Sequence, residues 1–236
     1  MQKIRIDGLD IFRGLALLLM IMYHFTYDLN HFHLITIDMN HTPLFLVFRY
    51  TIMSMFLFSV GISLALVHTP KIRWKSIQKR ILLLGGASLI VTIATYIEFP
   101  HAWVYFGILH FILLASLVGL LFLPYPKMAL VTAVVILIGS ATETLNMQIF
   151  FQFIQPILHL PIYTEDLVPF IPWFAVVLLG IGTTHYKLPQ KLFTLPLVSN
   201  KYLFTRGLKF IGQHSLLIYL IHQPILFSGF MLVSKQ

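Results

Sequence analysis

The sequence contains no cysteine and few charged residues, and both shortages exclude whole classes of protein. Without cysteine there is no disulfide scaffold, no iron–sulfur cluster held by thiolates and no cysteine nucleophile. Only 10% of the 236 residues are charged and 58% are apolar, whereas an ordinary soluble domain is about 25% charged and about 45–50% apolar. Because so few polar side chains cannot cover a water-facing surface, a soluble enzyme and a disordered tail are both excluded.

Long apolar runs take the place of the missing polar residues, and their lengths predict a membrane protein. A helix crosses the hydrocarbon layer of a bilayer with about 20 mostly apolar residues. Seven stretches are long enough, at residues 9–29, 44–67, 80–98, 102–123, 126–144, 167–185 and 208–233. An eighth, residues 147–160, is shorter and carries glutamines on one helical face, as in a helix that lies on the bilayer surface. We therefore predict an all-α integral membrane protein with about seven transmembrane helices plus one interfacial helix, in one domain over residues 1–236.

The basic residues predict the orientation of these spans. Short cytoplasmic loops carry an excess of lysine and arginine. With a cytoplasmic N-terminus, all 16 basic residues except Arg49 and Lys235 fall on the inner side. The formal charge of +8 therefore reflects topology and attraction to anionic lipid, and we expect no nucleic-acid partner. We predict a multi-pass membrane protein with its N-terminus in the cytoplasm and its C-terminus outside.

The first span carries the densest set of ionisable residues, and such residues inside a membrane indicate a functional site. Arg13 and His24 are eleven positions apart, which places them on one helical face about 16 Å apart. Asp28 follows one turn after His24, where its carboxylate can accept a hydrogen bond from the imidazole and fix its tautomer. The alternative is a snorkelling arginine at one interface and a histidine at the opposite headgroup level.

Two further histidines, His110 and His222, lie within other predicted spans. Ser215 and Tyr219 share one helical face with His222, and Pro224 frees a backbone carbonyl beside them. Each histidine alone is equally consistent with an interhelical hydrogen bond. Three histidines on three different helices favour a shared polar cavity.

A metal site is the other chemistry that the histidines suggest. The predicted outer loop holds a His-x-His pair and two further potential ligands, the set being His31, His33, Asp38 and His41. The spacing suits a transition metal, but the sequence offers no supporting residues around these ligands. We therefore expect no metal site.

The segment from Leu9 to Ala16 resembles the opening of the membrane-bound acyltransferase superfamily, and so does the spacing of ten residues between Arg13 and His24. The rest of the chain is similar to one branch of it, the bacterial relatives of the heparan-alpha-glucosaminide N-acetyltransferase catalytic domain. The segments that carry this resemblance are residues 55–63, 106–111, 166–173 and 212–224.

The resemblance implies acyl transfer across a membrane, which for bacterial relatives would be the inner membrane. A cytosolic acyl-CoA, most simply acetyl-CoA, would serve as co-substrate with no tightly bound cofactor, and the acceptor outside would be a sugar hydroxyl or amine. The resemblance implies that His24 is catalytic and that Arg13 is associated with the phosphates of coenzyme A. The animal enzyme carries an asparagine at the place of His24 and its key histidine in the following loop, which leaves His31 and His33 as alternatives.

The residues themselves are consistent with this mechanism. Arg13, with Lys79 or Arg80, could pair the phosphates at the inner membrane surface. His24 could act as general base, with Asp28 orienting it. The oxyanion needs a hydrogen-bond donor, and the candidates for it are Tyr23, His110, Trp173 and His222. The residues expected to line the substrate cavity are Tyr23, His110, Asp166, Trp173, Ser215, Tyr219 and His222.

The expected partners are the lipid bilayer, acyl-CoA and a glycan or other small acceptor, with a homodimer left open. A second function class stays open as well, a non-enzymatic small transporter or a lipid- or glycan-binding membrane protein that uses the same cavity. Against a transporter, the sequence shows no pair of related halves with Gly- or Pro-broken helices.

Overall fold

The computed structural model describes residues 6–193 and 202–234, and the regular secondary structure in these ranges is helical. The helices are α1 (Asp7–His31), α2 (Pro43–His68), α3 (Trp74–Glu98), α4 (Ile108–Gly119), α5 (Pro126–Ala141), α6 (Gln148–Leu158), α7 (Phe170–His185), α8 (Leu188–Leu192), α9 (Leu203–Gln213) and α10 (Ser215–Ser234). A short 3-10 turn, Leu120–Phe122, follows α4. The predicted all-α class is confirmed.

Four described helices are long and apolar enough to cross a membrane, namely α1, α2, α3 and the Ser215–Leu232 part of α10. The spans predicted in α4, α5 and α7 are apolar but shorter, at 12, 16 and 16 residues. The structure therefore supports a multi-pass membrane protein. The count of seven spans and the cytoplasmic N-terminus stay predictions.

The span predicted over residues 208–233 was wrong at its start. The chain is helical from Leu203, breaks at His214 and begins again at Ser215. The predicted span ran through the polar residues Gln213, His214 and Ser215, and the helix breaks among them. The short helix predicted over residues 147–160 is present as α6, and its placement on the bilayer surface stays a prediction.

The described residues form two compact units, and each is considered by itself. We call residues 60–189 the central unit, and residues 6–59, 190–193 and 202–234 the terminal unit. The single domain expected over residues 1–236 stays a prediction.

In the terminal unit, α1 packs against α9 and α10. Two glycines bring the backbones of α1 and α9 together: a Cβ atom on Gly14 would collide with the carbonyl oxygen of Leu208, and one on Gly212 with that of Asp10. Small residues allow such close approach between membrane helices. The contact fixes the position of α1, which carries Arg13, His24 and Asp28.

In the central unit, α7 packs against α4 and α5, and α3 packs against α4. Phe111 of α4 and Leu178 of α7 are fully buried. Gly61 is close enough to the carbonyl oxygen of Val177 that a Cβ atom there would collide with it. This packing sets the positions of His110 and Trp173.

Candidate functional site

Two of the predicted cavity histidines meet in the terminal unit, where α1 contacts α10. The ring centroids of His24 and His222 are 5.0 Å apart, with the rings at 62° to each other. The ring of Tyr219 lies 5.5 Å from that of His222. Tyr23 packs 6.0 Å from the ring of Phe48 and borders the apolar core of the unit. Tyr23 also lies beside His24, with ring centroids 5.9 Å apart, so the structure brings together Tyr23, His24, Tyr219 and His222.

The hydrogen bond of His222 fixes its tautomer. The Nδ1 atom lies 2.6 Å from the carbonyl oxygen of Tyr219, and because a carbonyl oxygen can only accept, Nδ1 carries the proton. In the neutral imidazole Nε2 then holds the lone pair. This Nε2 atom is buried and has no hydrogen-bond partner among the described residues.

The carboxylate of Asp28 is fully buried one turn beyond His24. Its Oδ1 atom accepts a hydrogen bond of 2.7 Å from the side-chain nitrogen of Gln223. The expected hydrogen bond from His24 is not among the contacts of the described residues, so the orienting role predicted for Asp28 is not seen. The side chain of Asp28 is bonded to α10 instead, because Gln223 offers an amide N–H there.

Three buried acceptor atoms of α1 and α10 lack a donor within the described residues: Asp28 Oδ2, Gln223 Oε1 and His222 Nε2. A buried polar atom without a hydrogen bond costs about 1–3 kcal/mol. Ordered water or a bound molecule with O–H or N–H groups would remove that cost. The layer has the chemistry to bind a hydroxyl or an amine. We call His24, Asp28, Tyr219, His222 and Gln223 the polar layer.

Arg13 lies three turns before His24 on α1, within a polar contact that the sequence analysis did not include. Its guanidinium lies 3.4 Å from Asp10 Oδ1 and 3.4 Å from the hydroxyl of Ser59. The Arg13 side chain is 24% exposed and that of Asp10 only 6%. Asp10 precedes Arg13 by three positions on the helix, which is the spacing that could have revealed the pair.

The histidines of the predicted outer loop do not come together as ligands for a metal ion. His31 packs 5.4 Å from the ring of Phe227, and His33 is exposed with a positive φ of 60°. Asp38 and His41 are both exposed and share a hydrogen bond of 2.8 Å, which lowers the pKa of the Asp38 carboxyl. Within residues 6–193 and 202–234 there is no group of three potential ligands that could hold a metal ion.

The remaining predicted residues belong to the central unit, except Ser215, which is half-buried at the start of α10. Lys79 is exposed, and Arg80 donates a hydrogen bond of 2.9 Å to Ser116. Trp173 is half-buried in the first turn of α7. Asp166 accepts a hydrogen bond of 3.1 Å from the backbone N–H of Ile108, which caps the start of α4.

His110 has both ring nitrogens engaged in the same region. Its Nδ1 accepts a hydrogen bond of 3.3 Å from the N–H of Gly107, so Nε2 carries the proton and donates to the hydroxyl of Thr92 at 3.1 Å. That hydroxyl donates in turn to the carbonyl of Val104 at 2.8 Å. These bonds favour a structural role for His110 over the predicted donation to an oxyanion.

Comparison with known proteins bears on the whole chain. A family model described as heparan-alpha-glucosaminide N-acetyltransferase, catalytic, matches residues 5–224. The match runs from the start of α1 into α10 and includes the polar layer. No curated protein and no solved structure matches the chain. Because the match covers nearly the whole sequence, the chain belongs to the family of the heparan-alpha-glucosaminide N-acetyltransferase catalytic domain.

Proposed function

We propose that this protein moves an acyl group, by preference acetyl, from cytosolic acyl-CoA to a sugar hydroxyl or amine outside the bacterial inner membrane. The observation that carries the proposal is the buried polar layer, which contains two imidazoles and three acceptor atoms that lack donors within the described residues, one of the three being Nε2 of His222. The O–H and N–H groups of an acceptor molecule are donors of the kind that these atoms lack. The family supports acetyl transfer as the reaction type.

In the proposed reaction the acceptor oxygen or nitrogen attacks the thioester carbon. A new bond forms there, the carbon–sulfur bond breaks, and the acceptor's proton goes through a base to the leaving thiolate. We propose His24 and Asp28 as catalytic residues. His24 makes no hydrogen bond through its ring within the described residues, so it keeps one N–H and one lone pair for the substrates. The Oδ2 atom of Asp28 remains to accept a hydrogen bond from another O–H or N–H group of the acceptor molecule.

The acyl donor is proposed to enter from the side of Arg13. Coenzyme A carries phosphates at one end and its thioester at the end of a long arm. Arginine pairs with phosphate through two parallel hydrogen bonds, and Arg13 lies about 16 Å from His24 along α1. Acyl-CoA is thus a co-substrate.

The proposal is tested by incubating the purified protein with acetyl-CoA and a panel of hexoses and hexosamines. Free coenzyme A is measured with a thiol reagent, and because the chain contains no cysteine the protein adds no background. We expect thiol release that depends on the acceptor. The matched control is His41→Ala in the outer loop, which should leave the rate unchanged. Uptake of a labelled sugar into vesicles without thiol release would contradict the proposal and favour a transporter.

A further inference from the structure

The imidazole rings of His24 and His222 differ in whether a hydrogen bond fixes the nitrogen that carries the proton. His222 is held by the carbonyl of Tyr219 as the tautomer with the proton on Nδ1. His24 has no such bond within the described residues. One ring therefore presents only a lone pair to a substrate, and the other presents an N–H as well.

From this difference we infer that His222 is the general base of the acyl transfer and that its Nε2 atom takes the proton of the acceptor. The inference rests on the proposed function and assigns to His222 the role that the sequence analysis gave to His24. His222 is only 8% exposed, and its Nε2 atom is buried with no partner in the described part of the chain. A buried lone pair without a donor is suited to receive a hydroxyl or an amine.

A backbone carbonyl in contact with Nδ1 orients the ring of a general base and stabilises the imidazolium that forms on proton transfer. Here the carbonyl of Tyr219 has that position, three residues before His222 on the same helix. The ring is held further by the bond between Gln223 and Asp28, which ties the next residue of α10 to α1.

The reaction balances with these assignments. The acceptor loses its proton to Nε2 of His222 as its oxygen or nitrogen bonds to the thioester carbon. The negative charge on the former carbonyl oxygen is stabilised by an N–H of His24. When the carbon–sulfur bond breaks, the imidazolium of His222 gives the proton to the thiolate. The acylated acceptor and coenzyme A are the products, and His222 returns to its starting tautomer.

The test separates the base from a purely structural histidine. The substitution His222→Asn keeps an amide N–H for the carbonyl of Tyr219 but cannot take up a proton. We expect a melting temperature close to that of the wild type and a loss of acyl transfer on the order of 10²–10⁴-fold. His214 makes the same kind of bond, from Nδ1 to the carbonyl of Phe210 at 2.9 Å, but is exposed. His214→Asn is therefore the control and should keep full activity.

Two further measurements complete the experiment. Histidine labelled with nitrogen-15 reports the tautomer directly, with the signal of His222 identified by its loss in His222→Asn. We expect the Nδ1–H form, and the Nε2–H form would overturn the inference whatever the activity. In a second variant, His222→Ala, recovery of transfer on adding free imidazole would support the base role, even if the asparagine variant fails to fold.

The inference and the proposed function fail in different ways. If the wild type transfers acyl groups and His222→Asn does so at the same rate, His222 is not the base and the proposed function stands. If His24→Asn is inactive in that case, the base is His24. If the wild type releases no coenzyme A with any acceptor, the proposed function falls and the base assignment falls with it.

Discussion

The side-chain nitrogen of Gln223 donates a hydrogen bond of 2.7 Å to the carboxylate of Asp28, across 195 positions of the sequence. Asp28 is fully buried, and a buried carboxylate is tolerated only when it is hydrogen-bonded or paired. The bond therefore does two things: it satisfies one oxygen of Asp28 and it joins α10 to α1 beside His222. The position of the polar layer depends on it.

Replacing Gln223 with leucine should lower both stability and activity. The variant removes the donor to Asp28 and leaves a buried acceptor unsatisfied, at a cost of about 1–3 kcal/mol. Thermal unfolding in detergent should show a lower melting temperature, and thiol release should fall with it. Gln213→Leu is the control, because Gln213 is exposed at the end of α9. Equal melting temperatures for the two variants would mean that the bond to Asp28 contributes nothing to stability.

Replacing Gly14 with alanine should destabilise the contact between α1 and α9. The new Cβ atom would collide with the backbone carbonyl of Leu208, which cannot move aside as a flexible side chain can. Overpacking of this kind costs about 1–3 kcal/mol, and the melting temperature should fall. Gly207→Ala provides the comparison, since a Cβ atom at Gly207 meets nothing within 4 Å. Its melting temperature should be unchanged or higher, because alanine favours a helix over glycine by about 1 kcal/mol.

The sequence predicted the long helices well, because length and hydropathy suffice for them. The predicted spans at residues 9–29 and 44–67 lie within α1 and α2. The span predicted from residue 102 begins as a helix only at Ile108. That start is set by Asp166, whose carboxylate binds the N–H of Ile108 from 58 positions away. No local pattern could reveal it.

The candidate site likewise has some features that the sequence could predict and others that depend on packing between helices. Helical spacing placed Arg13 and His24 on one face of α1, since that depends on a single helix. The pairing of His24 with His222 required the packing of α1 against α10. Gln223 was missed as a partner of Asp28, because a neutral residue beside a proline carries no spacing signal of its own. The tautomer of His222 depends on one distance, which a sequence does not contain.

The predicted orientation can be tested with single cysteines, because the natural chain has none. Lys75 and Asp38 are both exposed, so a thiol at either position is accessible unless the membrane protects it. In intact cells an impermeant thiol reagent should label Asp38→Cys and leave Lys75→Cys unmodified. Lysed cells are the control, in which both should react. The reverse pattern would place the N-terminus outside and remove the basis for a cytosolic acyl donor.

Substitution of Arg13 should weaken the binding of coenzyme A. Arg13→Lys keeps the charge but loses the two parallel hydrogen bonds of a guanidinium to a phosphate, and Arg13→Ala loses both. We expect the affinity measured by calorimetry to fall in the order wild type, lysine, alanine. Arg206→Ala is the control, because Arg206 is exposed on α9. Unchanged affinity in both Arg13 variants would leave Arg13 as an interfacial anchor that pairs with Asp10.

Substitution of His24 should slow acyl transfer and leave the binding of coenzyme A unchanged, whereas substitution of Arg13 should weaken that binding. His24→Ala removes the N–H that we propose for the developing oxyanion, and the loss of one such donor costs on the order of 10²–10³-fold in rate. Coenzyme A should bind as tightly as to the wild type, because its phosphates are bound elsewhere. Thiol release and calorimetry on the same preparation separate the two effects. A folded His24→Ala protein that transfers acyl groups at the normal rate would exclude His24 from the reaction, and His31 and His33 would then be the residues to replace.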